Sequence, residues 1–106
     1  MATQAQQQAF LNKIIPLAIA DMKKTKISAS LTIAQAILES AWGLSGLTVR
    51  SNNLFGIKGQ GVNSATFEYI DGKRIEIVAG FKSYPDWETS ISRFLLANLT
   101  LVSLGK

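Results

Sequence analysis

The stretch from Ile33 to Gly59, IAQAILESAWGLSGLTVRSNNLFGIKG, decides how the rest of the chain is interpreted. Its first part has helical spacing and carries one carboxylate, Glu39, three residues before Trp42. A loop with several glycines follows, and it ends in the run Asn52-Asn53-Leu54-Phe55-Gly56. Its pattern predicts a helix that presents an acid, followed by a loop that packs closely against it.

We expect this helix to run from Leu31 to about Trp42, with Ser28 or Ser30 as its N-cap and Gly43 as its stop. At 100° per residue, one face collects Ile33, Ala34, Ile37 and Ala41, and the other collects Thr32, Gln35, Glu39 and Trp42. Two interpretations of Glu39 remain open. It is a solvated glutamate, as most charged helix residues are, or Leu38 and Trp42 give it an apolar setting that keeps its proton available for donation.

The remaining elements predict one α+β domain, mainly helical, over residues 1–106, with an α-lobe at about 3–59 and 83–104. The first helix spans Thr3 to Lys24, and Pro16 should kink it or divide it near Ile15. Two strands meeting at Asp71-Gly72 predict a β-hairpin lobe at about 64–79, after a polar loop at 60–64. A final helix has Ser83 or Tyr84 as cap and Pro85 near its first turn. Its apolar stripe is formed by Trp87, Ile91, Phe94, Leu95 and Val102.

The composition limits the chemistry. The chain has no cysteine and no histidine, so a disulfide framework, a thiolate metal site and a histidine base are all excluded. Hydrolytic chemistry would have to use carboxylate, tyrosine, serine or lysine groups. The net charge of +4 favours an anionic partner such as a wall polymer, a membrane surface or nucleic acid, although the eleven basic residues are scattered.

The segments Ala34 to Gly43 and Asn52 to Gly59 together resemble the signature of glycoside hydrolase family 73, bacterial endo-β-N-acetylglucosaminidases that cut peptidoglycan. A weaker resemblance extends from about Phe10 to Ile91. It implies a lysozyme-like fold with a helical lobe and a small β-hairpin lobe. It also implies that Glu39 is the general acid for cleavage of the β-1,4 bond between N-acetylglucosamine and N-acetylmuramic acid.

The same resemblance suggests the remaining site residues. Thr66-Phe67-Glu68-Tyr69 is similar to the β-lobe segment whose glutamate is the usual second catalytic carboxylate, which implies that role for Glu68. Spacing alone favours an exposed strand residue paired with Lys73 or Arg74 for Glu68. Glu76 is the competing candidate for the second carboxylate, but it matches no position of the family. Substrate contacts are implied for Gln35, Trp42, Asn53, Phe55, Tyr69 and Tyr84, although Asn53 and Tyr84 also suit packing roles.

Three routes for the second step stay open. Glu68 activates water with inversion, or it acts as a nucleophile, or the acetamido group of the substrate attacks while Glu68 stabilises charge. The resemblance implies peptidoglycan glycan strands as partner, with no metal or organic cofactor, no nucleic acid and no membrane insertion. It places the protein outside the membrane, in the cell wall or periplasm, or makes it a phage product, and the chain shows no signal peptide.

The chain departs from the family pattern after Ser92. The family usually continues with further helices and another cleft aromatic, whereas this chain ends at Lys106, so we expect a short natural form or a fragment. Two alternatives therefore remain: a glycan-binding or anionic-polymer-binding module that does not cut, and an assembly domain. Self-association would use an apolar surface formed by Leu95, Leu96, Leu99, Leu101, Val102 and Leu104.

Overall fold

The computed structural model describes the backbone of residues 1–104 and the side chains of residues 1–98. Along this range the chain forms helices α1 (Gln4–Thr25), α2 (Ala29–Ser40) and α3 (Gly46–Ser51), strands β1 (Gly61–Ile70) and β2 (Lys73–Lys82), and helix α4 (Trp87–Leu104). The α+β prediction, mainly helical with one hairpin, is confirmed.

Helix α1 begins as the sequence predicts, because Thr3 caps it in a reciprocal capping box with Gln6. The predicted division at Pro16 is wrong: the helix runs through this residue. Proline removes one backbone hydrogen bond, and the burial of Phe10 and Ile14 on one side of it and Ala18 on the other holds the two halves as one element.

Helix α2 faces the core with residues that match the predicted aliphatic face only in part, since Ile33 and Ile37 are half-buried against the core. Its buried residues are Thr32, Ala36 and Ser40, whereas Ala34 is exposed. The hydroxyls of Thr32 and Ser40 donate to the carbonyls of Ser28 and Ala36, so burial leaves them satisfied. Small side chains of this kind let the neighbouring elements approach the helix closely.

The hairpin is longer than predicted. Both strands have ten residues, and the polar loop expected at 60–64 lies within β1 from Gly61 onward. The turn is the predicted Asp71-Gly72 pair, with φ values of 51° and 77° as a type I′ turn requires.

Asp86, and not the predicted Ser83 or Tyr84, caps helix α4. Its carboxylate accepts hydrogen bonds from the backbone N–H and the hydroxyl of Thr89, at 2.8 Å and 2.6 Å, and these bonds lower the pKa of Asp86. The predicted apolar stripe of α4 is confirmed for Trp87, Ile91, Phe94 and Leu95, and Val102 lies outside the described side chains.

Phe81 near the end of β2 is buried, but the main core cluster lies in the helical body, between α1, α2, α4 and the loop between α3 and β1. It consists of Phe10, Ile14, Ala36, Leu54, Phe55, Ile91 and Leu95. Leu95 is only 1% exposed, which removes it from the predicted self-association surface. Leu96 is exposed, and Leu99, Leu101, Val102 and Leu104 lie outside the described side chains. No helix in residues 1–104 is long and apolar enough to cross a membrane.

Candidate active site

Glu39 lies in the last turn of α2 and lines a cleft of about 380 Å³. The cleft runs between the α2–α3 connection and the hairpin, and it is lined by Glu39, Ser45, Gly46, Leu47, Gly56, Lys58, Ser64, Ala65, Thr66 and Phe81. Hydroxyls, one carboxylate and one ammonium group therefore face a space open to water. Such a set can hydrogen-bond a polyhydroxylated ligand and supply a proton donor or acceptor.

The structure does not place Glu39 in the apolar setting that the sequence suggested. Glu39 is exposed, and the adjacent Leu38 is 80% exposed and points into water. Trp42, the other expected neighbour, lies beyond the end of the helix. Any apolar enclosure of the carboxyl group would thus have to come from a bound ligand.

The helix that carries Glu39 ends in an unusual turn. Ala41, Trp42 and Gly43 all have left-handed backbones, with φ of 50°, 60° and 75°. The Ser40 hydroxyl fixes this turn by accepting the Gly43 N–H at 2.8 Å. Only glycine adopts this conformation without strain, and a Cβ on Gly43 would also lie 2.9 Å from the Trp87 ring.

Trp42 is directed to a different surface from Glu39. Its ring packs edge to face on Phe10, 5.8 Å between centroids, and lines a pocket with Phe10 and Trp87 that shares no lining residue with the Glu39 cleft. Trp42 therefore packs on Phe10 away from the Glu39 cleft, and its contact with substrate stays a prediction. The sequence misled because it extended the helical spacing two residues past the real end of α2.

The loop that follows α3 supports the site from below. Asn53 is 1% exposed: its side-chain N–H groups donate to the carbonyls of Ile57 and Lys82, at 2.9 Å and 2.8 Å, and its side-chain oxygen accepts the Ile57 N–H at 3.0 Å. Phe55 is buried and stacks on Phe94 with 3.9 Å between centroids. In this conformation neither side chain can contact a ligand in the cleft, so both are corrected to scaffold residues.

Gly56 is the point where this loop meets Glu39. Its φ is 67°, and a Cβ built on it would lie 3.6 Å from Glu39 Oε2. Asn53 fixes the loop on the side of Ile57, and the Leu54 N–H donates to the buried Ser90 hydroxyl at 3.1 Å. The Asn-Leu-Phe-Gly run thus sets the floor of the cleft beneath the carboxylate.

Glu68 lies on the inner face of the hairpin. Alternation along β1 gives Ser64, Thr66 and Glu68 the same half-buried face, and the first two line the cleft. Glu68 pairs with Lys58 at 3.1 Å between Oε1 and Nζ, and not with Lys73 or Arg74 as the hairpin spacing had suggested. Arg74 instead lies over the ring of Phe67 on the outer face, 3.8 Å from its centroid.

The other predicted contact residues lie in three different places. Gln35 is exposed one turn before Glu39 on the same helix face. Tyr69 is 76% exposed on the outer face of the hairpin. Tyr84 is half-buried and lines a small pocket with Arg93 and Phe94 that is separate from the cleft. Burial raises the pKa of Tyr84, and the charge of Arg93 partly offsets this.

Of the ten residues that line the cleft, only Glu39 was a predicted site residue. Four of the other nine have polar or charged side chains: Ser45, Lys58, Ser64 and Thr66. Thr66 could have been found, because the alternation that places Glu68 also places Thr66 on its face. Lys58 stands inside the motif that carried the resemblance, but nothing in its spacing indicated the direction of its side chain. Within residues 1–98, no group of three or more acidic, histidine or cysteine residues is arranged to hold a metal ion.

Comparisons with known proteins give a consistent result. The family described as mannosyl-glycoprotein endo-beta-N-acetylglucosaminidase matches residues 15–102. The exo-glucosaminidase LytG of Bacillus subtilis is 43% identical over 83 residues, which cover 74% of this chain and 29% of that protein. The peptidoglycan hydrolase FlgJ of Pseudomonas aeruginosa is 32% identical over 101 residues, 86% of this chain and 25% of that protein.

A solved structure gives the same indication. The catalytic domain of the autolysin Auto from Listeria monocytogenes superposes with a TM-score of 0.80 at 40% identity, over 90% of this chain and 57% of that one. This chain therefore spans less than a third of the two curated relatives' lengths and somewhat more than half of the solved domain.

Proposed function

This chain belongs to the glucosaminidase family, and on that premise we propose that it hydrolyses the β-1,4 bond between N-acetylglucosamine and N-acetylmuramic acid in peptidoglycan. Its fold is the lysozyme-like fold expected, a helical body with a β-hairpin. The observation that carries the proposal is that Glu39 lines an open cleft whose other wall includes Ser64 and Thr66. Glu68 lies further along the same face of β1 and does not line the cleft itself. Most glycoside hydrolases use two carboxylates that flank the scissile bond.

Glu39 is the general acid in this proposal and protonates the leaving oxygen. Two observations support this role: the backbone of Gly56 passes close to Glu39 Oε2, and the cleft is open on the side where a glycan strand can enter. A bound sugar would displace water from around the carboxylate and supply the apolar contact that the free protein lacks.

Glu68 is the second carboxylate, for which three routes stay open: activation of water, nucleophilic attack, or charge stabilisation while the substrate's acetamido oxygen attacks. Activation of water requires a separation of about 6.5–9.5 Å between the carboxyl groups, and nucleophilic attack requires about 5–5.5 Å. NMR of the first-formed product distinguishes inversion from retention. The proposed location is outside the membrane, in the cell wall or periplasm or as a phage product, because the substrate is there.

The deciding experiment is digestion of purified peptidoglycan by the parent chain, Glu39→Gln and Glu76→Gln, with products identified by mass spectrometry after borohydride reduction. We expect reduced N-acetylglucosamine ends from the parent. Glu39→Gln should lose roughly 10²–10⁴-fold in rate, since it removes the proton donor. Glu76→Gln is the matched control, an exposed glutamate on the outer hairpin face, and should retain activity.

A second candidate, glycan binding without cleavage, is favoured by the exposure of Glu39. Parent protein that binds peptidoglycan and releases no reducing ends would establish it and refute the hydrolase proposal. Reduced N-acetylmuramic acid ends would keep the hydrolase and correct the bond.

A further inference from the structure

We propose that Lys58 is a positioning residue that latches the hairpin over the cleft and holds the Glu68 carboxylate towards it. The kinetic effect of the Lys58–Glu68 ion pair depends on the proposed function, whereas its effect on the position of the Glu68 carboxylate does not. Lys58 Nζ and Glu68 Oε1 are 3.1 Å apart, the only ion pair found among the side chains of residues 1–98, and Lys58 lines the cleft that contains Glu39.

Lys58 stands on a segment that is tied to the base of the hairpin. It forms an antiparallel bridge with Phe81. On one side of it the Ile57 carbonyl accepts the Lys82 N–H at 2.9 Å, and on the other the Gly59 N–H donates to the Gly80 carbonyl at 3.1 Å. The backbone of Lys58 is therefore fixed against the end of β2 nearest the helical body.

Glu68 lies far along the hairpin from this point. It stands opposite Ile75, six residues from Phe81 along β2. At about 3.3 Å per residue a flat hairpin would separate the two positions by roughly 20 Å. An extended lysine and an extended glutamate side chain together do not reach that far. The ion pair is compatible with the register only if the hairpin curves back over the cleft, as long two-stranded ribbons do through their strong twist.

The pair thus joins the fixed base of the hairpin to its curved outer half. Both side chains are substantially exposed, at 57% for Lys58 and 43% for Glu68, so the pair contributes little to global stability. Its effect is on direction: the cation keeps the Glu68 carboxylate on the side of the cleft. Small displacements of a reacting group are costly in rate even when stability is unchanged.

The kinetic test uses Lys58→Met, with Lys58→Arg as rescue and Lys73→Met as control. Lys73 is an exposed lysine at the hairpin turn, so its substitution makes the same charge change at a site away from Glu68's ion pair. We expect Lys58→Met to lower kcat by about 2- to 5-fold, the range that an exposed ion pair can supply, with little change in KM and melting temperature. Lys58→Arg should recover most of the rate, and Lys73→Met should behave as the parent.

The assignment of Lys58 as acting through Glu68 is tested by combining Lys58→Met with Glu68→Gln. Little further loss of kcat on adding Lys58→Met to the Glu68→Gln variant is the expected result. Losses that multiply independently would show that Lys58 contacts the substrate directly, and would overturn the positioning role.

A measurement without substrate separates this inference from the proposed function. The ¹³C NMR signal of the Glu68 carboxyl group should shift in Lys58→Met and stay in place in Lys73→Met. If the parent cuts no peptidoglycan but this shift is seen, the hydrolase proposal fails and the latch stands. If the Glu68 chemical shift is the same in Lys58→Met and in the parent, the proposed latch is refuted, whether or not the parent cuts peptidoglycan.

Discussion

The helical body and the hairpin of this molecule are stabilised by different means. The body buries Ile14, Leu54, Ile91 and Leu95 to 1% exposure or less. Between Val62 and Gly80 the hairpin has no buried residue, and Val78 remains 72% exposed. A two-stranded ribbon is marginal on its own in water, so the hairpin depends on attachments to the body at its base and along its inner face.

The two candidate carboxylates are divided between these regions. Glu39 stands on α2, next to a turn fixed by the buried Ser40, whereas Glu68 stands on the hairpin. The hairpin's attachments include the Lys58–Glu68 ion pair and one bond from the Arg50 guanidinium to the Asn63 carbonyl at 3.2 Å. Under the proposed function, an acid on a rigid element and a second carboxylate on a weakly attached one would let the site open and close around a glycan strand.

The largest expected loss of stability comes from making the same isoleucine-to-alanine substitution in the helical body and in the hairpin. Ile91→Ala should destabilise the protein by about 2–5 kcal/mol, because Ile91 is fully buried and leaves a cavity. Ile75→Ala in the hairpin, at a position 39% exposed, should cost about 1 kcal/mol. Urea unfolding monitored by tryptophan fluorescence measures both, and equal losses would show that the hairpin folds as part of the core.

The sequence predicted those parts of this architecture that depend on local chemistry. The start of the first helix at Thr3 and the Asp71-Gly72 turn were identifiable because their residues bond to near neighbours or allow positive φ. The end of α2 was not, since Ala41 and Trp42 adopt left-handed conformations that only surrounding packing can impose.

The lining of the cleft was less predictable, since Glu39 alone among the predicted site residues lines it. Glu39 and the loop after it carry a recognisable motif, and alternation gave the face of Glu68. The predicted ion-pair partner of Glu68 was wrong, because the curvature of the hairpin brings Glu68 close to Lys58, ten residues earlier in the chain. Curvature is a tertiary property, and the local pattern of β1 favours Lys73 or Arg74 equally.

A smaller effect is expected from the hairpin turn. Gly72→Ala places a side chain at φ 77° with no atom within 4 Å of its Cβ, so the cost is backbone strain alone, about 1 kcal/mol. Hydrogen exchange should quicken along β1 and β2 and stay unchanged in α1. Gly43→Ala is the matched case in the body, with a similar φ but a clash against Trp87, and it should lower the melting temperature much more. Faster exchange throughout the molecule in Gly72→Ala would contradict the separation of the two regions.

The smallest expected effect is the loss of stability caused by a buried carboxylate in the helical body. Asp21, 7% exposed between α1 and α4, lines a cavity of about 120 Å³. Burial raises its pKa above the ordinary 3.8; Lys24 lowers the pKa in part and Glu88 raises it further. Because the folded state then binds this proton more readily than the unfolded state, ionised Asp21 costs stability at neutral pH, and the cost disappears as pH falls through the raised pKa.

Asp21→Asn should therefore raise the melting temperature slightly at pH 7, and the gain should shrink to nothing as pH falls towards 3.8. Thermal unfolding of the parent and the variant across this range measures the difference. Glu76→Gln is the control, since an exposed glutamate on the outer face of the hairpin should show no such trend. If Asp21→Asn instead lowers the melting temperature at pH 7, the attraction to Lys24 outweighs burial. The body would then hold its charge as the hairpin holds Glu68, by pairing it with a lysine.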